Sequence, residues 1–305
     1  MNENEFPFVS VIIPVYNGEK TIAACIESLL NQDYPKNRYE IIVVDNNSKD
    51  STAKIVRKYT VKYLFENRIQ SSYAARNTGI RHSKGEILAF TDNDCIAERP
   101  WLINLIQGWK VNWGGIAGDI LGLPARSFTE KYQNRCYCQE AKLVKNDYPF
   151  APTANVAYKR KVFDEVGLFT EDLVSGGDAD FSWRIIKQGY MIKFRKNARV
   201  IHKSRDNIFS LYKQAKRYGF GTVCLSLTYP HMLEKRKGIF KKLFKKLLLK
   251  TFTIFYRLCT FMFKKEKVYY ILEPIFMIVR TYGYIRGELL GLKYMKGKKI
   301  ICPYE

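Results

Sequence analysis

Four short apolar runs in the first 95 residues, Val9–Pro14, Glu40–Asp45, Val61–Phe65 and Glu86–Thr91, alternate with stretches of helical spacing. That alternation restricts the chain more than any other feature. Ile22, Cys25, Ile26, Leu29 and Leu30 recur at helical intervals within Thr21–Asn31, the mark of one buried helical face. A second helix starts near Asp50 or Ser51, either of which can cap it, and a third covers Ser71–His82. Strands joined through helices require right-handed crossovers and build a parallel sheet with helices on its faces.

In such sheets ligands collect beyond the carboxyl ends of the strands. The fourth run reads ILAFTDNDC, so Asp92 and Asp94 stand at a strand end with one asparagine between them. Two carboxylates that close repel unless a cation or a shared proton intervenes, and oxygen ligands of this kind suit Mg2+ or Mn2+ carrying phosphates. The competing reading is an exposed turn, where Asp and Asn are common for conformational reasons. Asp45, at the end of the second run, offers a carboxylate to a base or a ribose, or serves as a turn residue. Arg76, in AARNTGI, is a phosphate clamp or a solvated helix arginine.

Other chemistries are poorly served. Neither G-x-G-x-x-G nor G-x-x-x-x-G-K-[ST] follows any of the runs. Three histidines and no G-x-S-x-G leave little for a hydrolytic triad or a histidine-rich zinc site. Seven cysteines without a paired C-x-x-C framework fit a reducing cytosol, and no basic segment precedes the first apolar run as a secretory signal would require.

Five ordered blocks carry a resemblance: VSVIIPVYNGEKTI, IIVVDNNSKDST, AARNTGIRHSKGEILAFTDNDC, ANVAYKRKVFDEVGLF and SGGDADFSWRIIKQGY. They resemble the successive motifs of the family 2 glycosyltransferases, over roughly Phe8 to Gly221. The resemblance implies an α/β fold of the GT-A type: a single Rossmann-like, mixed but mostly parallel sheet flanked by helices. It implies inverting transfer of a sugar from a nucleotide diphosphate to an acceptor hydroxyl. Carried over by position, Pro14, Tyr16, Asp45, Arg76, Asp92 and Asn93 bind the donor, and Asp94, Asp92 and His202 hold Mn2+ or Mg2+. Asp178 is the base and Asp180 supports it, with Gly177 where the family usually has glutamate. Asn155 and Trp183 face the acceptor. Asn46 departs from the second aspartate that many members have. On the residues alone Asp178 is equally a helix N-cap, His202 an ordinary histidine and Trp183 a core residue.

The net charge of +22 is unevenly spread. Residues 1–100 carry 13 basic and 13 acidic side chains, residues 101–200 carry 15 and 10, and residues 201–305 carry 23 and 6. Lys246, Lys250, Thr253, Arg257, Thr260 and Lys264 recur at intervals of four and three, a narrow basic stripe on an otherwise apolar helix. Leu247–Phe263 is short for a membrane span and is interrupted by Lys250 and Arg257, so it is expected to lie in an anionic interface. Packing against the catalytic part is the alternative. No nucleic-acid-reading motif accompanies the charge. The chain is thus expected to divide into a catalytic domain, residues 1–230, and a basic, aromatic-rich membrane-associating region, residues 231–305. The expected enzyme is cytoplasmic, peripheral on the inner membrane face, and acts on a nucleotide-sugar donor and a lipid-linked or surface-glycan acceptor. A sugar nucleotidyltransferase and a non-catalytic membrane adaptor are the alternatives; the first would want a Gly-rich, basic loop where this chain has PVYNGEKT.

Overall fold

The computed structural model describes residues 6–137, 149–229 and 268–297, together with positions 245, 249, 252 and 253. These fall into two compact units. The first comprises the described parts of Met1–Leu123, Tyr137–Asp172 and Gly177–Lys203; the second those of Pro124–Cys136, Leu173–Gly176 and Ser204–Glu305.

The first unit is built on one eight-stranded sheet: β1 (Val9–Val15), β2 (Tyr39–Asp45), β3 (Lys62–Phe65), β4 (Ile87–Thr91), β5 (Cys95–Ala97), β6 (Trp113–Gly122), β7 (Asn155–Lys159) and β8 (Met191–His202). Their spatial order is β3-β2-β1-β4-β7-β6-β8-β5. Strands β1 to β4 run parallel, β7 runs antiparallel to β4 and β6, β8 is parallel to β6, and β5 is antiparallel to β8. The sheet is therefore mixed and mostly parallel, as the family resemblance implies; the alternation of strands and helices by itself calls for the parallel part. Strand β1 is central and buried along its whole length, which is why VSVIIPV reads as a continuous apolar run.

The helices of this unit are α1 (Ile22–Leu30), α2 (Thr52–Val56), α3 (Ser72–Arg81), α4 (Trp101–Ile106), α6 (Arg160–Val166) and α7 (Gly177–Lys187). Helix α1 buries Ile22, Cys25, Ile26 and Leu29, the face its spacing specified. Ser71 caps α3 by accepting the Tyr73 N–H at 3.2 Å. Small residues let α3 lie close on the sheet: a Cβ on Gly79 would meet Ile12 Cγ2 at 2.5 Å.

The β6–β8 ladder shifts register between Gly118 and Asp119, where the partner jumps from Arg195 to Arg199. A bulge of this kind strands backbone carbonyls that must find donors. Asn155 supplies them: its Nδ2 donates to the Asp119 carbonyl at 2.7 Å and the Ala198 carbonyl at 2.9 Å, while its Oδ1 accepts the Trp101 indole N–H at 2.8 Å. Gly118 leaves room for this arrangement, since a Cβ there would collide with the Ala198 carbonyl and the Asn155 amide.

The second unit contains α5 (Phe128–Asn134), α8 (Ile208–Thr228) and α9 (Val268–Gly297). Ser127 and Glu130 form a reciprocal capping box at the start of α5, and Asn207 caps α8 through the Ser210 N–H. Helices α8 and α9 approach along Gly283, Gly287 and Gly291, each four residues from the next; a Cβ on Gly287 would strike the Lys216 carbonyl and one on Gly291 would meet Val223 Cβ at 2.8 Å. Tyr132, Leu211 and Phe276 form a small apolar core. Among the described residues no helix is long and apolar enough to cross a membrane. Most of the basic stripe, namely Lys246, Lys250, Arg257, Thr260 and Lys264, lies outside the described residues.

Gly118→Ala should remove about 1–3 kcal/mol of stability, the usual cost of forcing a methyl into a filled site. Urea unfolding of wild type and variant measures the difference.

Candidate active site

The carboxyl end of β4 runs directly into a tight turn, Asp92–Asn93–Asp94, before β5 begins. The Cys95 N–H closes the turn onto the Asp92 carbonyl at 3.1 Å, and the Lys203 N–H, just past β8, donates to the Asp94 carbonyl at 3.0 Å. Because Cys95 pairs in register with His202, the ladder brings the Asp94 carboxylate and the His202 ring to one place. Asp94 Oδ1 and His202 Nε2 are 3.5 Å apart, and the Cys95 sulfur completes a group whose atoms all lie within 4.8 Å.

The histidine's other nitrogen fixes its tautomer. His202 Nδ1 lies 2.8 Å from the Lys203 carbonyl, which can only accept, and 3.3 Å from the Tyr137 hydroxyl. In the neutral ring Nδ1 therefore carries the proton and Nε2 presents its lone pair on the Asp94 side, the arrangement of a metal-ligating histidine. Burial foremost, then the Asp92 and Asp94 charges, push the Cys95 thiol well above its ordinary value. The group offers a cation imidazole nitrogen, the buried Cys95 sulfur and carboxylate oxygen, the last a donor that suits Mn2+ and Mg2+.

Asp92 is tied from the other side through one of its oxygens. Its Oδ1 receives the Arg76 Nη2 at 2.6 Å, with Arg76 only 4 % exposed and Asp92 30 %. The guanidinium packs over the Tyr73 ring, 5.7 Å from the centroid, and its buried Nε has no protein partner. A buried donor of this kind calls for an acceptor.

Asp178 follows a glycine that packs on Tyr73, the ring beneath Arg76. Helix α7 begins at Gly177, one residue before Asp178, so Asp178 sits in the first turn and is not the N-cap its sequence position also allowed. Gly177 lies flat on Tyr73, where a Cβ would meet the ring at 2.7 Å, and Tyr73 is the ring beneath Arg76. Burial pushes the Tyr158 phenol up; the Asp178 carboxylate adds to the rise and the Arg76 guanidinium opposes it, so both charges act on one hydroxyl. Asp180 is 4 % exposed, and its Oδ2 accepts from Thr170 at 2.8 Å and from Arg184 at 3.2 and 3.0 Å. Arg184 in turn donates to the Leu168 carbonyl at 2.8 Å. Asp180 thus anchors the start of α7 to the loop after α6.

The ends of β1 and β2 are knitted together beside this turn. Asn17 and Asn47 both adopt positive φ, 49° and 65°, a region asparagine tolerates. The Asn17 N–H donates to Ser48 Oγ at 2.9 Å and the Lys49 N–H to Asn17 Oδ1 at 2.8 Å. Asp45 is 1 % exposed and accepts the Ser48 N–H and the Tyr63 hydroxyl, each at 2.9 Å; burial, then Asp45, push that phenol up to about 12. Tyr16, just past β1, is half exposed, while Pro14 is buried within β1 opposite Val44. Asn93 directs its amide to Thr21 Oγ1 at 2.9 Å.

Asn155, placed at the acceptor side by resemblance, is fully buried in the bulge described above. Trp183 is half-buried on α7. Sequence reasoning did not single out Thr21, Tyr63, Glu66 or Tyr137. Asn46 was marked as a departure, and the structure gives it a task a carboxylate cannot perform: its Nδ2 donates to the Glu66 and Ile69 carbonyls, both at 2.9 Å. Nothing local in the sequence announces these partners, which lie 20 or more residues away.

The profile of glycosyl transferase family 2 matches residues 10–167, just over half of the chain. The chain belongs to glycosyl transferase family 2. A second profile, glycosyl transferase family group 2, matches residues 103–284. Among curated relatives, glycosyltransferase AglE of Haloferax volcanii is 36% identical over 225 residues, covering 71% of this chain and 73% of the relative. The dolichyl N-acetyl-alpha-D-glucosaminyl phosphate 3-beta-D-2,3-diacetamido-2,3-dideoxy-beta-D-glucuronosyltransferase of Methanococcus voltae is 25% identical over 240 residues, with 70% and 72% covered. Of solved structures, the Pyrobaculum calidifontis mannosyltransferase PcManGT in complex with GDP-Man and Mn2+ superposes with a TM-score of 0.59 at 18% identity, over 96% of this chain and 76% of that one. S. aureus TarS 1-349 in complex with UDP-GlcNAc gives 0.53 at 19%, over 95% and 92%. At such identities these structures establish the shared GT-A fold. The family 2 protein is a glycosyltransferase enzyme, and its relatives include enzymes of lipid-linked and polymer glycosylation.

Just past β3, Glu66 is 3 % exposed and accepts from Arg68 at 2.9 Å and Thr78 at 2.5 Å. Burial alone would raise its pKa, but the hydrogen bonds from Thr78 and Arg68 and the Arg68 charge more than offset it and hold the carboxyl below the ordinary 4.5. A depressed carboxyl contributes stability that is present above its unfolded pKa and is lost as pH falls through the folded one. Thermal melts of Glu66→Gln should accordingly show lower stability than wild type at pH 7 and a gap that narrows below pH 4.5.

Proposed function

We propose that this glycosyltransferase performs a metal-dependent, inverting transfer from a nucleotide-diphosphate sugar, with uridine the favoured nucleoside, to a hydroxyl of a lipid-linked or cell-surface glycan. The observation that carries the reading is the convergence of Asp94 and His202 on one point while Arg76 grips Asp92 beside it. Asp92, Asp94 and His202 would hold Mn2+ or Mg2+. When bound, the ion would neutralise the charge that gathers on the departing diphosphate.

The chain's own residues do the rest. Asp45, with Tyr16 and Pro14, takes the nucleoside end, and Asn93 belongs to the turn that receives the diphosphate. Arg76, whose buried Nε has no protein partner, would hydrogen-bond a phosphate oxygen. Asp178 accepts the proton of the acceptor hydroxyl as its oxygen bonds to the anomeric carbon. The bond from that carbon to the diphosphate breaks and the electron pair leaves with the diphosphate, which inverts the centre. Asp180, immobilised by Arg184, keeps the first turn of α7 in place under Asp178. Trp183 would pack against the acceptor. Asn155 acts from behind, as the plug of the β6–β8 bulge. A nucleotidyltransferase would need a basic glycine-rich loop after β1, and PVYNGEKT is not one. A non-catalytic adaptor would have no use for this set of paired carboxylates.

Residues 1–230 carry this chemistry in our reading, and residues 231–305 place the enzyme peripherally on the inner, anionic membrane face. Basic side chains would reach lipid phosphates while Phe and Leu enter the acyl boundary, each cation contributing about 1 kcal/mol. The names of the archaeal dolichyl phosphate enzyme and the poly(ribitol-phosphate) transferases among its relatives support an envelope acceptor.

Asp178→Asn should lower turnover by about 10²–10⁴-fold, the usual share of a general base, while calorimetric titration shows donor affinity within twofold of wild type. Unchanged turnover would remove Asp178 from the mechanism. Reversal of charge at Lys242, Lys246 and Lys250 should release the protein from phosphatidylserine vesicles in a flotation assay; full retention at low salt would contradict the membrane role.

A further inference from the structure

The turn that carries Asp92 and Asp94 is held from one side by a single short segment of β1–α1. A Cβ on Gly18 would meet Asn93 Nδ2 at 2.5 Å, so the glycine lets the turn lie against the backbone. The Cys25 thiol donates to the Asp92 carbonyl at 3.5 Å, alongside the Cys95 N–H. Between them, Thr21 Oγ1 accepts from Asn93 Nδ2 at 2.9 Å.

Thr21 is the unusual member. It occupies the N-cap of α1, where a threonine hydroxyl normally accepts a backbone N–H of the first turn, yet it makes no such bond. The Gly18 carbonyl receives the Thr21 and Ile22 N–H groups instead, at 3.0 and 2.9 Å. The hydroxyl proton also points to that carbonyl, at 3.3 Å. With its proton so committed, the oxygen can only accept, and the amide of Asn93 is the donor it meets. The asparagine's amide is thereby oriented, and with it the backbone that separates the two carboxylates.

We propose that Thr21 is a positioning residue for the metal-binding turn: it gives up its capping bond to fix Asn93, and through Asn93 sets the directions in which Asp92 and Asp94 point. This rests on the reading that the turn holds the metal and the diphosphate. It assigns the middle residue of Asp-Asn-Asp an inward structural partner, and makes the start of α1 a determinant of metal affinity although it touches neither ion nor sugar.

The test is Mn2+ binding, followed by the loss of the free-ion electron paramagnetic resonance signal with UDP present and, separately, GDP. It compares wild type, Thr21→Val, Thr21→Ser and Asp94→Ala, with melting temperatures recorded in parallel. Removing one neutral hydrogen bond to the turn should weaken Mn2+ binding by about fivefold in Thr21→Val, and Thr21→Ser should return it to within twofold of wild type. A purely structural threonine would lower the melting temperature and leave the Mn2+ affinity alone, which would overturn the proposal. Equal weakening in Thr21→Val and Thr21→Ser would also overturn it, because the hydroxyl would then not be the operative group. Asp94→Ala separates the two levels. If it retains wild-type Mn2+ affinity the metal reading itself fails; if it loses binding while Thr21→Val does not, only the role of Thr21 fails.

Discussion

The carboxyl end of β4 poses one electrostatic problem: two carboxylates, two residues apart, at the end of a buried strand. The fold separates their obligations. Asp92 is neutralised from within by Arg76, whose own burial is tolerable because the ion pair is short and the guanidinium lies on an aromatic face. Asp94 is left facing a histidine lone pair, an arrangement that asks for a cation and supplies the right donors for one. Burial, with the same two charges, raises the pKa of the buried thiols Cys25 and Cys95 beside them.

The consequence reaches into the scaffold. Arg76 can serve Asp92 only because α3 lies close enough to the sheet, which Gly79 permits. Asp178 can share that neighbourhood only because Gly177 rests on Tyr73 one turn earlier in α3. Glycines whose neighbours would collide with any side chain are thus part of the site, although none of them touches a reactant.

Much of this architecture was legible in the sequence, and for identifiable reasons. The strands β1, β2 and β4 are buried on both faces and therefore read as unbroken apolar runs, while α1 is amphipathic and declares its buried face by spacing. The D-x-D turn followed from strand polarity alone. What could not be read were the long-range polar assignments. Asn155 sits in a block that suggests an outward role, but its amide serves a bulge whose two other strands lie 36 and 43 residues away. Asn46 differs from an aspartate by one atom, yet that atom is what lets it donate to two carbonyls of the loop after β3. The glycine seam of α9 is a four-residue repeat visible in GYIRGELLG, masked by the charged residues interleaved with it.

The pairing of Cys95 with His202 has a consequence for how such an enzyme can change. Asp94, one residue before β5, and His202, at the end of β8, are more than a hundred residues apart in the chain, but a three-residue ladder sets the interval between them. Insertions or deletions in the loops between Ala97 and Met191 leave that interval untouched so long as the ladder forms. Variation in those loops can therefore reshape the surface around the pair while the spacing of the carboxylate and the imidazole is inherited unchanged.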